Sequence, residues 1–193
     1  MKNKMLDNHD TSGGERNKEF KFEPPLYLQR YHYVINLLKE YKCATYMDVG
    51  CAECNLLRYA KNSNELNLNL IIGVDLDTDL LKESKEKFVL LYDLVHAREH
   101  PLDLYLINGD ISRPPRYFLD KVENVDCISL VEVIEHMYPD TLKRTLNTIF
   151  GQIKPRMVVM TTPNSEFNVV FGNDDAIEET NSRWGIYYET NLN

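Results

Sequence analysis

From Ala44 to Pro163 the chain alternates short apolar runs with amphipathic stretches of helix length, and no other feature restricts its fold so strongly. The runs "ATYMDVG", "LNLIIGVDL", "LDLYLINGDI", "VDCISLVEV" and "RMVVMTTP" have the length of strands. They are hydrophobic throughout rather than at every second position, as in strands covered on both faces. Helical segments fall between them near residues 55–63, 78–96, 115–122 and 140–153. Such alternation builds β-α-β units, so the predicted fold is α/β, a doubly wound and mostly parallel sheet. Ahead of the first strand, "LYLQRYHYVINLLKEY" sets Leu28, Tyr31, Val34, Ile35 and Leu38 at helical spacing behind a proline pair suited to opening a helix.

One domain is expected over residues 20–172, between a polar leader, 1–19, and an acidic, turn-rich tail, 173–193. At 193 residues and 43% hydrophobic content the chain can bury one core. A formal charge of −8 argues against broad adhesion to nucleic-acid backbones and leaves room only for a local polyanion site. No run approaches the roughly 20 apolar residues of a membrane span, and the first residues hold no hydrophobic signal core, so an intracellular location without a membrane partner is expected. Four cysteines are too few for a disulfide scaffold. Cys51 and Cys54 form a C-x-x-C, which suits a redox pair or half a zinc site, but no second C-x-x-C or downstream histidine pair completes one.

In a doubly wound sheet ligands sit beyond the carboxyl ends of the strands, where strand order reverses. The first strand ends in "DVGCAEC", a tight turn in which Asp48, Gly50 and Cys51, with Asn55 behind them, border the place a ligand would approach. The second ends in "GVDLD", with Asp75, 25 residues after Gly50, placed to accept both hydroxyls of a ribose. The third ends in "NGDI", where Asp110 can take an adenine amino hydrogen and the backbone at Ile111 can face the ring. The dinucleotide pattern G-x-G-x-x-G is not met, because Ala52 and Asn55 stand where glycines would. S-adenosylmethionine, which has no pyrophosphate, fits better. Each acid alone is more often a cap or a turn former, whereas three such strand ends in succession favour the cofactor.

The fourth strand runs into "EVIEH". If the strand turns there into a helix, Glu132, Glu135 and His136 stand at i, i+3 and i+4 and can face one side. Two carboxylates and an imidazole suit Mg²⁺, Mn²⁺ or a similar octahedral ion. On spacing alone, an acidic first helical turn favoured by the helix dipole is the commoner outcome.

The segments "FEPPLYLQRY", "DVGCAECNLLR", "GVDLD", "EVIEH" and "TTPNSEFN", between about Phe22 and Phe171, resemble the Hen-type small-RNA 3′-terminal 2′-O-methyltransferases, which modify piRNAs and some siRNAs. The pairing of "EVIEH" with "TPNSEFN" is specific to that family, while the cofactor segments are shared by class I (Rossmann-like) S-adenosylmethionine-dependent methyltransferases. The resemblance implies an enzyme that transfers a methyl group from S-adenosylmethionine to the 2′-OH of the 3′-terminal nucleotide of single-stranded small RNA. It implies Glu132, Glu135 and His136 as catalytic metal ligands, with Mg²⁺ or Mn²⁺ bridging the terminal 2′ and 3′ hydroxyls. Asn164 and Ser165 would border the same cleft. Arg30, Lys143, Arg144, Lys154 and Arg156 are candidates for phosphate contacts. A monomer acting in the cytoplasm or its RNA granules, with a Piwi or Argonaute-type partner, follows from the resemblance alone.

Three departures shape the expectations. The family's pattern after "NSEFN" supplies a fourth ligand from a histidine, and here none follows His136; His9, His32, His96 and His100 all precede the motif. A three-ligand site with water completing it is therefore expected, and the rival reading is a non-catalytic isoform that binds cofactor or partner proteins. The 21 residues after Gly172 are too few for the family's last helix and antiparallel strands, so those strands are expected to be missing and the fifth strand to be an apolar edge. Ala52 stands where the family usually has glycine, at a cost on the order of 1 kcal/mol if that turn needs a positive φ.

Overall fold

A computed structural model describes residues 22–88 and 101–163. Two compact units divide the chain, Gln29–Thr162 and a second formed by Met1–Leu28 with Pro163–Asn193. In the second unit the described residues are 22–28 and Pro163, and the Glu23–Pro24 bond there is cis. All that follows concerns Gln29–Thr162, apart from the first residues of helix α1.

Helix α1 covers Leu26–Glu40 and buries Val34 and Leu38, two of the residues placed on its apolar face by the sequence spacing. Strands and helices then alternate: β1 Thr45–Val49, α2 Asn55–Asn62, β2 Leu70–Asp75, α3 Thr78–Phe88, β3 Asp103–Asn108, α4 Arg116–Val122, β4 Cys127–Val131, α5 Pro139–Leu146 and β5 Met157–Thr161. All five expected strands are present. Each expected helix is present as well, although the part of the 78–96 segment beyond Phe88 lies outside the described residues.

The sheet order is β3-β2-β1-β4-β5, and every pairing is parallel. The chain winds outward from β1 to β3, returns, and continues on the other side with β4 and β5, so strand order reverses between β1 and β4. Alternate residues on the strands face opposite layers. Tyr46, Ile71 and Cys127 pack with Val34 and Leu38 of α1 and Leu57 of α2. Met47, Val49, Ile72, Val74, Ile128 and Leu130 pack with Phe118 and Val122 of α4 and with Ile149 and Ile153. A sheet covered on both faces explains why its strands read as continuous apolar runs.

At the N-terminal rim, Asp126 joins β1 to β4. Its Oδ2 accepts the amides of Ala44, 2.7 Å, and Thr45, 3.0 Å, while its own amide donates to Thr45 Oγ1 at 2.7 Å. Burial alone would raise this carboxyl's pKa, but those two amides and the charge of Arg156 hold it below the usual range.

The expected helix over 140–153 is two structures. Helix α5 passes at Leu146 into a π-helical stretch, Asn147–Ile153, closed by Lys154 at φ 56° with its amide bonded to Ile149 O at 2.7 Å. The wide turn contains Gly151, where a Cβ would stand 3.1 Å from Asn147 Oδ1.

Candidate active site

The C-terminal rim collects the residues singled out in the sequence. Asp75 ends β2, and its two carboxylate oxygens each accept one amide, Oδ2 from Ala52 and Oδ1 from Asp77, both at 2.8 Å. The first bond ties the β1–α2 turn to the end of β2, and each oxygen retains a lone pair for a further donor. At the end of β3, Asn108 lies in register with Asp75 and donates its side-chain amide to the carbonyls of Asp75, 3.2 Å, and Leu76, 2.8 Å. Asp110 is exposed with one oxygen on the Ser112 amide at 2.8 Å, and Ile111 is buried beside it. A small, partly open cleft lies here against Val74, Asn108, Asp110, Ile111 and Phe118. Its walls are mainly apolar with an acid and an amide at the mouth, a lining suited to a flat heteroaromatic ring with an exocyclic amine.

The β1–α2 turn differs from expectation in its details. Gly50 has φ +71°, and a Cβ there would lie 2.6 Å from Val133 Cγ2. The absent side chain thus makes room for Val133, just beyond β4. The amides of Gly50 and Cys51 both turn inward to Val74 O, at 2.8 and 3.2 Å. Cys51 is buried, and its sulfur packs where a Cβ on Gly73 would approach it to 3.0 Å. Asn55 opens α2 and accepts a bond from Arg58. The cysteines of the C-x-x-C are both free thiols with sulfurs 3.6 Å apart. The hydrogen bond between the two thiols raises the pKa of Cys51 and lowers that of Cys54. Neither zinc nor redox chemistry is needed to place them, since the Cys54 amide closes the turn on Cys51 O at 2.7 Å.

Ala52 has φ 45°, so the anticipated strain is present. Ala52→Gly is expected to leave stability unchanged or raise it by up to about 1 kcal/mol, the relief of left-handed strain being offset by added freedom in the unfolded chain. Urea denaturation measures it, and a loss beyond about 1 kcal/mol would refute the strain argument.

Asp48 has a place the sequence did not reveal. It is buried, and Ser129 Oγ, on the neighbouring strand in direct register, donates to it. Ser129 also bonds the buried Tyr46 hydroxyl at 2.6 Å. In this arrangement Asp48 joins β1 to β4 instead of facing the cavity. Burial pushes its carboxyl up to about 7, with the Ser129 bond opposing and Asp75 adding to the shift. From near pH 4 to near pH 7 the folded protein therefore keeps a proton that the unfolded chain has released. The Asp48 contribution is greatest below that window and is lost as pH rises through it, by up to about 1.4 kcal/mol per pH unit. Asp48→Asn is expected to flatten this slope in urea denaturation between pH 5 and pH 8; an unchanged slope would show that Asp48 does not titrate there.

The "EVIEH" segment is not the first turn of a helix. Strand β4 ends at Val131, Glu132 has φ 58°, and Ile134–His136 forms a single 3₁₀ turn. Helix α5 starts only at Pro139, because a proline disfavours helical geometry in the residue before it and Tyr138 is extended at ψ 150°. Glu132 Oε2 pairs with Arg30 Nη2 at 3.0 Å, Thr161 Oγ1 donates to Glu132 Oε1 at 3.1 Å, and the Glu132 amide donates to Thr161 O at 3.0 Å. Both carboxylate oxygens of Glu135 are shielded from solvent without a hydrogen-bond partner. Burial, with the nearby charge of Glu132, raises the Glu135 pKa. His136 is exposed. Among the described residues, no three His, Cys, Asp or Glu side chains are gathered closely enough to hold a metal ion.

No family model matches the chain. Over 151 residues, 78% of its length, it is 33% identical to the small RNA 2′-O-methyltransferase of Gallus gallus, of which it covers 39%. The methyltransferase domain of bacterial CtHen1-C aligns with a TM-score of 0.61 and 25% identity, covering 78% of this chain and 73% of that one. The small RNA methyltransferase HEN1 aligns with a TM-score of 0.69 and 26% identity over 86% of this chain and 20% of that one. The chain is similar to the Hen-type small RNA methyltransferases.

The chain spans about two fifths of the length of the curated relatives it matches. Its sheet is the Rossmann-like sheet of class I methyltransferases, as the order of strand ends led one to expect. Asn164, Ser165 and the tail at 173–193 lie outside the described residues. Of the basic candidates, Arg144 Nη2 donates to Thr141 Oγ1 and Arg156 Nη2 to Tyr41 O, while Arg30 reaches Glu132. Asn108, Ser129, Thr161 and Val133 were missed in the sequence. Asn108 alone left a signal, as the polar residue ending a strand directly before "GD".

Proposed function

We propose that this chain transfers a methyl group from S-adenosylmethionine to the 2′-OH of the 3′-terminal ribose of small single-stranded RNA. The observation that carries the reading is the juxtaposition of two differently built ends on one rim: the cleft beside Asp110 with Asp75 ending the adjoining strand, and the Glu132–His136 turn at the end of β4. Asp75 is positioned to accept a ribose diol through its unused lone pairs, and the cavity beside Asp110 and Ile111 suits an adenine ring.

Two carboxylates are hard oxygen donors suited to Mg²⁺ or Mn²⁺, with the imidazole a borderline donor that Mn²⁺ accepts better, and the unpartnered Glu135 oxygens form an acceptor pair that a cation would satisfy. On this reading Glu132, Glu135 and His136, which are not gathered closely enough to hold an ion in this structure, would have to draw together around it, and it would lower the pKa of a coordinated hydroxyl and orient it. The protein's own part is to fix the turn that presents these side chains: Thr161 holds Glu132 from β5, and Pro139 ends the turn. In the reaction the 2′ oxygen forms a bond to the methyl carbon, the carbon–sulfur bond breaks to leave a neutral thioether, and the hydroxyl proton passes to solvent or base. An RNA end needs few phosphate contacts, which agrees with the chain's acidity. A monomer acting in the cytoplasm on RNA held by an Argonaute-type protein completes the proposal.

The test is labelled methyl transfer to an RNA of piRNA length, compared with RNAs ending in 2′-deoxy or 3′-deoxy ribose, with and without chelator. Transfer that needs both hydroxyls and divalent metal is expected. Activity surviving chelation and loss of the 3′-OH would sink the metal-assisted reading, and cofactor binding without transfer would favour a non-catalytic chain.

A further inference from the structure

We propose that Tyr138 is a stacking platform for the 3′-terminal base of the RNA. The inference rests on the RNA reading above and names the residue that holds the base; it needs no metal ion.

Among the described residues, the three most exposed large apolar side chains are Tyr138, Leu76 and Tyr117, at 77%, 73% and 72%. All three fall at the C-terminal rim. Leu76 directly follows β2, Tyr117 stands in the first turn of α4 after β3, and Tyr138 follows the turn at the end of β4. Apolar side chains scattered singly over a surface need no explanation, whereas the three most exposed ones all falling at the ligand-binding rim of the sheet point to what that rim receives. Tyr117 lines the cleft proposed for adenine, and Leu76 adjoins Asp75. Tyr138 belongs to the other half. Strand β4 is three strand spacings from β3, roughly 14 Å, across the reversal of strand order between β1 and β4. The tyrosine is thus set apart from the adenine cleft, on the half left for the second substrate.

Its ring is free and its backbone is fixed. No described residue makes a hydrogen bond, ion pair or ring contact with the Tyr138 side chain. The ring of Tyr59, by contrast, meets Tyr31 and His32, and that of Tyr105 carries the Lys121 ammonium at 3.9 Å. Pro139 confines the residue before it to extended geometry, as observed at φ −63° and ψ 150°, so the ring projects from a backbone already set. A tyrosine has only two side-chain torsions to fix, and ordering it against a base costs little.

Charge favours the same occupant. A formal charge of −8 makes phosphate contacts a small part of binding, and Arg30, Arg144 and Arg156 are already engaged with Glu132, Thr141 and Tyr41. An RNA end held by few phosphate contacts needs another source of affinity. Unstacked bases supply it by packing on an aromatic face, whichever base they are.

The experiment measures binding of a fluorescent single-stranded RNA to the full chain by anisotropy, and methyl transfer to the same RNA. It compares the native protein, Tyr138→Phe and Tyr138→Ala on RNA with a complete 3′-terminal nucleotide and on RNA whose terminal ribose, hydroxyls intact, lacks its base; thermal unfolding confirms that each variant folds. Tyr138→Ala is expected to weaken binding of the complete RNA about tenfold and to raise KM by a similar factor, with kcat within about twofold. Tyr138→Phe, which keeps the ring, should stay within about twofold of native. On the end without a base all three proteins should bind alike, as weakly as Tyr138→Ala binds the complete RNA. An equal loss on both RNAs, or no loss on either, would overturn the stacking, and the second result would leave the ring to a partner protein. Failure of the native chain to bind either RNA would overturn the RNA reading and the stacking together. Binding without methyl transfer would remove the activity alone, and the binding comparison would still decide the stacking.

Discussion

Replacing Glu135 with glutamine is expected to lower methyl transfer to RNA by about 10²–10³-fold, the scale seen when one preorganised electrostatic contact is removed from a reacting centre. The same substitution is expected to leave thermal stability unchanged or slightly raised. Glutamine has the shape of glutamate, and the carboxylate it replaces is shielded, without a hydrogen-bond partner and raised in pKa by burial. A charge kept in such a position costs folding free energy, so its removal relieves the fold while disabling the chemistry. Calorimetric titration with S-adenosylmethionine should give an affinity within about twofold of the native value, because the cleft proposed for its adenine lies at the ends of β2 and β3. Methyl transfer within about threefold of native would remove Glu135 from the reaction. A large fall in unfolding temperature would instead mean that Glu135 has a structural partner.

Gly50→Ala is expected to act on the fold. A left-handed φ of +71° costs a residue with a Cβ about 1–2 kcal/mol, and the new methyl would meet Val133 Cγ2 at 2.6 Å, an overlap of the kind that costs about 1–3 kcal/mol. The expected loss is about 2–5 kcal/mol, which for a chain of this size lowers the unfolding temperature by roughly 5–15 °C. The two contributions separate by experiment. In Gly50→Ala with Val133→Ala the overlap is relieved and the backbone strain remains, so the double variant should be less destabilised than the sum of the two single ones. Additive losses in urea denaturation would show that Val133 is not what excludes a side chain at position 50.

The periodicity of the sequence made the sheet legible because each strand is buried on both faces, and burial on both faces leaves an uninterrupted apolar run. Helices α2 and α4 and the start of α5 followed from the segments between those runs. The acids at strand ends were legible as well, since Asp75 and Asp110 stand on the rim where they were expected. Asp48 was harder: its partner Ser129 is 81 residues away and meets it only through the β1–β4 register. For the same reason Val133 could not be paired with Gly50, and the glycine was read as space for a ligand. In "EVIEH" the spacing suggested a helical turn, and the positive φ of Glu132 together with Pro139 decided otherwise. Spacing indicates which side chains can share a face only once the backbone between them is known. The C-x-x-C lacked the second pair that a zinc site needs, and in the structure its two cysteines sit in a turn closed by the Cys54 amide on Cys51 O.

The Asp126 clasp shows how labour is divided along the strands. In a parallel sheet every strand begins at one rim and ends at the other, so bonds that gather the beginnings are separated from the substrate by the length of the strands. Asp126 ties the starts of β1 and β4, the two neighbours between which strand order reverses. It works as the rivet of a pair of tongs: closed at the pivot, the blades can carry different tips without coming apart. Substrate preference in this fold can therefore drift at one rim while the other keeps the blades aligned.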